Sequence, residues 1–458
     1  MRGRRPPEPA AAADRLGGPA PHGDPGRLGA IGDVPPPPGV RVVLDVRPLQ
    51  EPDRAPLTAI YLGCLLAAFA DEPLAGESFT VLFQAGLPDP TESLATLAVA
   101  GRRALPPTRL LGSGALTLDP FLLRTAAFGT AWRAGRSGAA GAVYHATSGA
   151  APLLSGLPLV VTLLDLAPWE LPQAYQRSPA ARFGQRLRGQ ILREAKAVIV
   201  PTEASARDAR RLLRLRPEQV HVVPLAPRPA FRAGGDAAIV AAERERLGLP
   251  ERYFVYSGRY DARQDLATLL RALARLQAGH EGRRPATGRA SRVTGPASLP
   301  LQLPRVLLVG ATPDDRAALA RAAAREGVGE LLAYAPRLDD GVLAALVSGA
   351  RAVILPVVSE SAGLAAIEAI AAGTPVIASA VGGLPEIVGS AGILVEPRDP
   401  ARLSVALEAA WADNVVHGRI ADAAAQRASS ERRTWSDVAL DTRRVYADAG
   451  VGKGSSAS

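Results

Sequence analysis

Cysteine is nearly absent from this chain. Cys64 stands alone among 458 residues, so no intramolecular disulfide can form and a disulfide-stapled scaffold is excluded. Lysine is almost as scarce, occurring only at Lys196 and Lys453, so nearly all of the 53 basic residues are arginine. Aromatics make up only 4%, with no alternation of basic and aromatic residues of the kind that single-strand nucleic-acid binders use. The net charge of +9 therefore reads as compositional bias toward arginine, alanine, glycine and proline, and no nucleic-acid partner is expected. The apolar run from 57 to 70, LTAIYLGCLLAAFA, is too short to span a bilayer and predicts a core helix, with Cys64 packed inside it. The N-terminus has arginines but no apolar segment behind them, unlike a secretory signal. A cytoplasmic protein is the expectation, with a peripheral position at the inner membrane left open.

What is present is a 47% hydrophobic chain, enough for two sizeable cores. Residues 1–38 are rich in Pro, Gly and Ala and end in four prolines, which predicts a disordered tail; 449–458 is expected to fray. Apolar runs at 41–46, 79–83, 142–145, 159–163, 197–200 and 220–223 predict strands separated in several places by helices. A linker is expected near 225–245. A second series starts at Tyr253, with a helix at 265–276, a mobile insertion at 277–303, and strands at 306–309, 352–355 and 376–379. The alternation of strand and helix predicts α/β architecture with parallel, doubly wound sheets. The domains expected are 39–232, completed by a returning helix at 434–448, and 246–433.

The most informative stretch runs from Ala352 to Pro397, AVILPVVSESAGLAAIEAIAAGTPVIASAVGGLPEIVGSAGILVEP. Here a strand gives way to a loop with Glu360. Gly363 opens a helix that carries Glu368 about two turns in, and Gly373 and Pro375 end it. Amides near Gly363 and Leu364 are expected to face an anion, and two carboxylates beside them suit hydroxyls of a sugar and a ribose.

These residues resemble the family-4 retaining glycosyltransferases, of the GT-B fold, whose pattern runs roughly P-S-x-x-E-G-F-G-L-P-x-x-E-A-x-A-x-G-x-P-V-I-A-S and then G-G-x-P-E. Pro356, Glu360, Gly363, Leu364, Glu368, Ala369, Ala371, Gly373, the run Pro375–Ser379, Gly382, Gly383, Pro385 and Glu386 match. The resemblance implies two facing Rossmann-like domains and transfer of a hexose, with retention, from a nucleotide-diphospho-sugar to a glycan or lipid-linked acceptor. Glu360 is then implied to orient the donor sugar, Glu368 the ribose, and Arg259 with the Gly363 and Leu364 amides the diphosphate. No cofactor is implied beyond the nucleotide sugar as substrate, and no Asp-x-Asp metal motif is present.

Several family positions are changed. After Gly258 the pattern G-R-x-x-x-x-K reads Arg259 to Gln264, so a neutral Gln264 replaces the lysine, and Arg263 is expected to point elsewhere. In the first half, T-x-H-D-L becomes Thr162 to Leu166: Leu164 replaces the histidine, while Asp165 remains, either to position an acceptor or to cap the following turn. His145, in VYHATSG, resembles a position near the cleft but reads better as structural. The glycine-rich loop T-G-I-G-R-Y is APLTAIY here, and E-G-F-G is Glu360 to Gly363 with Ser361 and Ala362 between. These changes also admit a catalytically degenerate member that binds nucleotide sugars or serves as a partner subunit. A basic segment at 177–197 predicts a helix with Arg182, Arg186 and Arg193 on one face and Phe183, Leu187 and Ile191 on another. It is either an ordinary amphipathic helix on the sheet or a docking face for an anionic membrane.

Overall fold

The computed structural model describes residues 36–107, 120–124, 141–147, 151–232, 234–258, 260–282 and 303–450. Short β-rich apolar runs, each ended by Gly, Pro or a polar cluster, become thirteen strands among the described residues. The first sheet holds β1 (Arg41–Asp45), β2 (Ser78–Gln84), β3 (Val99–Leu105), β4 (Ala142–Ala146), β5 (Leu159–Thr162), β6 (Ala197–Val200) and β7 (Val220–Val222). Its order is β3-β2-β1-β4-β5-β6-β7, and every pairing is parallel. The second sheet holds β8 (Phe254–Ser257), β9 (Val306–Val309), β10 (Leu332–Ala335), β11 (Ala352–Leu355), β12 (Val376–Ser379) and β13 (Gly392–Val395). Its order is β10-β9-β8-β11-β12-β13, again all parallel.

Both orders reverse direction after their third member, at β1/β4 and at β8/β11. Such switch points open a crevice at the carboxyl ends of the strands, where α/β sheets take ligands. Parallel strands covered on both faces must be apolar throughout, and β5, β6, β9, β11 and β12 are buried along their whole length.

The long apolar run becomes the helix Pro56–Asp71, which packs Tyr61, Leu62, Leu65, Leu66 and Phe69 onto the first sheet. The last helix, Trp435–Gly450, returns from the second half and buries Trp435, Val438 and Tyr446 in that same cluster. A buried ion pair fixes it, Arg443 Nη2 to Glu77 Oε2 at 2.7 Å, with the guanidinium lying over the Phe69 ring. His145 completes the anchor: its Nδ1 lies 2.6 Å from the Tyr446 hydroxyl and its Nε2 2.8 Å from Thr162 Oγ1. Burial pushes this imidazole down to about 3, so it is neutral and structural. Cys64 packs partly buried against the same cluster, its thiol pushed up to about 12 by burial.

Local boundaries differ from the sequence expectation in two places. The helix expected at 265–276 runs from Leu266 to Gly282, because LQAGHEG continues without a breaker strong enough to stop it. The rest of the expected insertion, 283–302, lies outside the described residues. The linker near 225–245 contains a helix of its own, Ala237–Arg246, started by the Asp236 side chain accepting from the Ala238 amide at 2.8 Å.

Candidate functional site

The site is built where the loops after β5 and β11 meet. Strand β11 leaves its sheet at Pro356, and Val357 is held by the Ser379 hydroxyl at the end of β12, 3.0 Å from its amide. The chain then turns through Glu360 to Gly363 and enters the helix Leu364–Ala371. Gly363 sits at φ 62°, and a Cβ there would run into Ile387, so only glycine makes this turn cheaply. Gly382, at φ 53°, lies so close to the Glu360 carbonyl that a side chain would collide with it.

Glu360 is half-buried, and its Oε1 accepts from the amides of Ala362 at 3.1 Å and Gly363 at 2.9 Å. The amides at the helix entry are thus engaged by the carboxylate of the same loop, and the Leu364 side chain packs into the first-sheet cluster. Of the two amides expected to face an anion, that of Gly363 donates here to the carboxylate of its own loop. Burial pushes the Glu360 carboxyl up, and the Gly363 amide and Arg263 offset this in part.

Glu368 lies little more than one turn into the helix, not two, because the helix begins only at Leu364. It is buried, and both its oxygens are taken by Arg228, at 2.6 and 2.9 Å. Arg228 comes from the segment that crosses between the two sheets, 140 residues away in sequence. No motif signals it. Its one visible sign was an arginine in an otherwise apolar and proline-rich stretch, VVPLAPRPAF.

Arg263 also departs from expectation. The loop after β8 is zipped onto the strand exit: Val358 donates to the Arg263 carbonyl at 2.8 Å, and Gln264 bridges Val357. That pins the Arg263 side chain into the cleft, where it donates to Asp165 Oδ2 at 2.8 Å and Asp261 Oδ2 at 2.9 Å. Burial alone would make this guanidinium less basic, but Asp165 and then Asp261 outweigh it and push its basicity up. Asp165 serves twice, since its other oxygen accepts from the Ala167 amide at 2.9 Å, at the start of the short helix Ala167–Glu170. Gln264 itself is half-buried in the zipped loop. Arg259 lies outside the described residues.

The two sheets close on one another around this point. Ser361 accepts from the Leu166 amide with its hydroxyl, at 3.1 Å, and from Ser205 and Thr202 hydroxyls with its carbonyl, at 2.8 and 3.2 Å. Glu386, in the G-G-x-P-E turn, accepts from the amides of Glu203 and Ala204, at 3.0 and 3.2 Å, at the N-terminus of the helix Glu203–Leu213. A side chain on Gly383 would strike Thr202, so the small residues of this turn allow the approach. Leu164 is buried and shares one apolar cluster with Ala362 and Leu364. The loop read as APLTAIY is filled by packing, with the Tyr61 hydroxyl 3.1 Å from Thr162 Oγ1.

On the outer surface, the helix Pro179–Glu194 buries Gly184, Gln185, Gly189 and Leu192 toward the sheet. Phe183 is 55% exposed and stands outward with Arg182, Arg186 and Arg193, a different grouping from the one its spacing suggested. Ile191 is buried and Leu187 partly so, as an inward face requires. Among the described residues no group of three His, Cys, Asp or Glu side chains could hold a metal ion, and no helix is long and apolar enough to cross a membrane.

Comparison with known proteins bears on this geometry from three directions. Residues 251–413 match the model for glycosyl transferases group 1, and 59–226 that for the glycosyl transferase 4-like domain. D-inositol 3-phosphate glycosyltransferase of Jonesia denitrificans is 31% identical over 291 residues, 62% of each chain. The protein of the same name from Streptomyces bingchenggensis is 35% identical over 277 residues, 59% of this chain and 56% of that one. The chain thus spans about six-tenths of the length of the curated relatives it matches. Among solved structures, sucrose-phosphate synthase of Thermosynechococcus elongatus superposes with a TM-score of 0.65 at 22% identity, covering 89% of this chain and 98% of that one. Anabaena HepE in complex with UDP and glucose gives 0.62 at 17% identity, covering 89% and 98%. WaaG, a glycosyltransferase of lipopolysaccharide biosynthesis, gives 0.62 at 17% identity, covering 91% and 100%. Two matched halves, each on its own parallel sheet with a facing crevice, make this chain a member of the group 1, family-4-like glycosyltransferases, built on the GT-B fold.

Proposed function

We propose that this protein transfers a hexose from a nucleotide-diphospho-sugar to a hydroxyl of a glycan or lipid-linked acceptor, with retention of anomeric configuration. The single observation that carries the reading is the pair Glu360 and Glu368, one half-buried on the loop before a helix and one buried within it, both at the carboxyl edge of the second sheet. Glu368 would take the ribose diol, Glu360 the donor sugar hydroxyls, and Arg259 with the Gly363 and Leu364 amides the diphosphate. The relatives' name, which specifies D-inositol 3-phosphate, and the UDP and glucose named with HepE are compatible with a sugar-nucleotide donor and a polyhydroxylated acceptor.

In this scheme the bond from the anomeric carbon to the diphosphate oxygen breaks, and the acceptor oxygen takes its place. The acceptor proton leaves with the diphosphate. Negative charge growing on the leaving group is met by fixed donors. Glu360 now holds the helix-entry amides, so a diphosphate that claims them frees that carboxylate for sugar hydroxyls. Arg263 likewise can exchange Asp165 for a phosphate oxygen. No cofactor is part of this scheme, since arginine and amide donors supply the positive field a metal would otherwise give. The exposed Phe183 among Arg182, Arg186 and Arg193 suits a peripheral contact with an anionic membrane, which would present a lipid-linked acceptor.

A second reading is a degenerate member that binds the donor without turning it over. Leu164, buried against Ala362 and Leu364, and the neutral Gln264 favour it. The deciding experiment is a calorimetric screen of nucleotide sugars without added metal, followed by a transfer assay with the product's anomeric configuration read by NMR. Binding, turnover and a product of the donor's configuration are expected. Binding without turnover selects the degenerate reading, and no binding to any nucleotide sugar overturns both.

A further inference from the structure

Arg228 sits on the crossing between the two sheets and is only 10% exposed. Its Nε donates to Glu368 Oε1 at 2.6 Å and its Nη2 to Glu368 Oε2 at 2.9 Å. Its Nη1 pairs with Asp340, the first residue of the helix Asp340–Ser348. The guanidinium lies over the Phe231 ring, 5.0 Å from its centroid, so its plane is fixed from below as well as at both ends. The crossing itself is tied to the returning strand of chain ahead of the last helix. Trp435 Nε1 donates to the Pro227 carbonyl at 3.1 Å, Arg433 Nε to the Pro224 carbonyl at 2.7 Å, and Arg232 Nη1 to the Glu431 carbonyl at 2.7 Å.

A carboxylate that is to read a ribose diol must be charged and held in one orientation. Burial pushes the Glu368 carboxyl up, and the Arg228 guanidinium offsets this in part. The forked pairing with Arg228 spends one lone pair on each oxygen and leaves the others open to hydroxyl donors. The partner arginine lies on neither sheet but on the segment any rotation of the two domains must bend. We propose that Arg228 is a positioning residue: from the interdomain crossing it orients the Glu368 carboxylate toward a ribose diol, coupling nucleoside recognition to the hinge. This rests on the donor reading above.

The test is calorimetry of wild type, Arg228→Lys and Arg228→Gln with UDP and GDP, repeated with their 2′,3′-dideoxy counterparts. For the better ribonucleotide, Arg228→Gln should weaken binding roughly 30-fold near pH 6, the scale of a lost charge-assisted pair. The loss should shrink as pH rises and Glu368 ionises without its partner, while wild type, with Arg228 offsetting part of the rise, should change less. Arg228→Lys, keeping charge but not the fork, should recover to within about tenfold of wild type. Against the dideoxy nucleotides the penalty in either variant should fall below about threefold, because no diol is left to read. Equal penalties for ribo and dideoxy ligands would reduce Arg228 to a structural tie and overturn the proposal. Unchanged or tighter binding in Arg228→Gln would also overturn it, making the arginine a plug. If Arg228→Gln does not fold, Arg228→Lys with the ribo–dideoxy comparison decides alone. A wild type that binds neither UDP nor GDP nor any of the nucleotide sugars removes the donor reading and this proposal with it, a different outcome from a binding wild type with indifferent variants.

Discussion

The two glutamates of the motif helix are chemically alike and satisfied in opposite ways. Glu360 closes on itself: its partners are amides two and three residues away, supplied by its own turn. Glu368 is held from outside by an arginine 140 residues distant, on the segment that joins the halves. The first arrangement is local and is released by any ligand offering a better acceptor to those amides. The second is non-local and moves only if the crossing moves. The Glu360 side of the cleft can therefore rearrange within one loop, while the Glu368 side is wired to the relative position of the two sheets. Buried ion pairs resist such rearrangement, since removing one partner typically costs about 3–5 kcal/mol.

The largest effect that would sharpen this contrast is at Glu360. Glu360→Gln should lower transfer at least about 100-fold, on the scale of losing one aimed polar group at a reacting centre. It should also stabilise the fold. A carboxyl whose folded value is raised binds more protons folded than unfolded, so its stability contribution falls as pH rises through that raised value. Thermal midpoints measured across neutral and alkaline pH should therefore be higher for Glu360→Gln than for wild type, by about 2–4 °C for each kcal/mol recovered. A midpoint lower than wild type at pH 8 would break the contrast.

Next in size is Arg263. Its replacement by alanine leaves Asp165 and Asp261 facing each other without a cation, and should weaken nucleoside diphosphate binding about tenfold. Arg337→Ala provides the control: its bond to Asp53 at 2.9 Å also spans the sheets, but both side chains are exposed, and under about threefold change is expected. Equal effects would mean that Arg263 acts only as a bridge. Smaller again is the pair of reversions. Gln264→Lys should tighten diphosphate binding by about three- to tenfold. Leu164→His should lower stability by about 1–3 kcal/mol, because its neighbours include Ala362 and Leu364 and offer no hydrogen-bond partner. Turnover that falls in Gln264→Lys would mean that the glutamine is adaptive. The smallest effect expected is a few-fold loss of cosedimentation with anionic vesicles when Phe183 and Arg186 are both replaced by serine, at unchanged binding to neutral vesicles.

Most of the architecture was legible because its strands are short apolar runs bounded by breakers, as at 306–309, 352–355 and 376–379. The strands that were not legible share a reason. Val99–Leu105 is an edge strand that carries Gly101, Arg102 and Arg103 and is apolar on one side only, so it resembles a loop. Leu332–Ala335 and Gly392–Val395 are likewise edge strands, paired on one side only, with β9 and β12. At the site, spacing alone located Glu360 and Glu368 on one loop and helix. Spacing could not find Arg228, whose partner is remote, nor the inward direction of Arg263, which depends on a loop zipped to β11's exit. The turn of Glu360 onto the Ala362 and Gly363 amides was likewise invisible: nothing in the order of residues says that a loop acid closes on its own amides.

The claim that this cleft takes a nucleotide-diphospho-sugar is tested most directly by hydrogen–deuterium exchange, with and without a saturating nucleotide sugar. The account predicts added protection at Val357–Leu364 as the diphosphate settles on the helix entry, at 261–264 beside it, and along Pro224–Arg232 as Glu368 engages the ribose. Protection confined to the first sheet, or no change at those three segments under saturation, would contradict it.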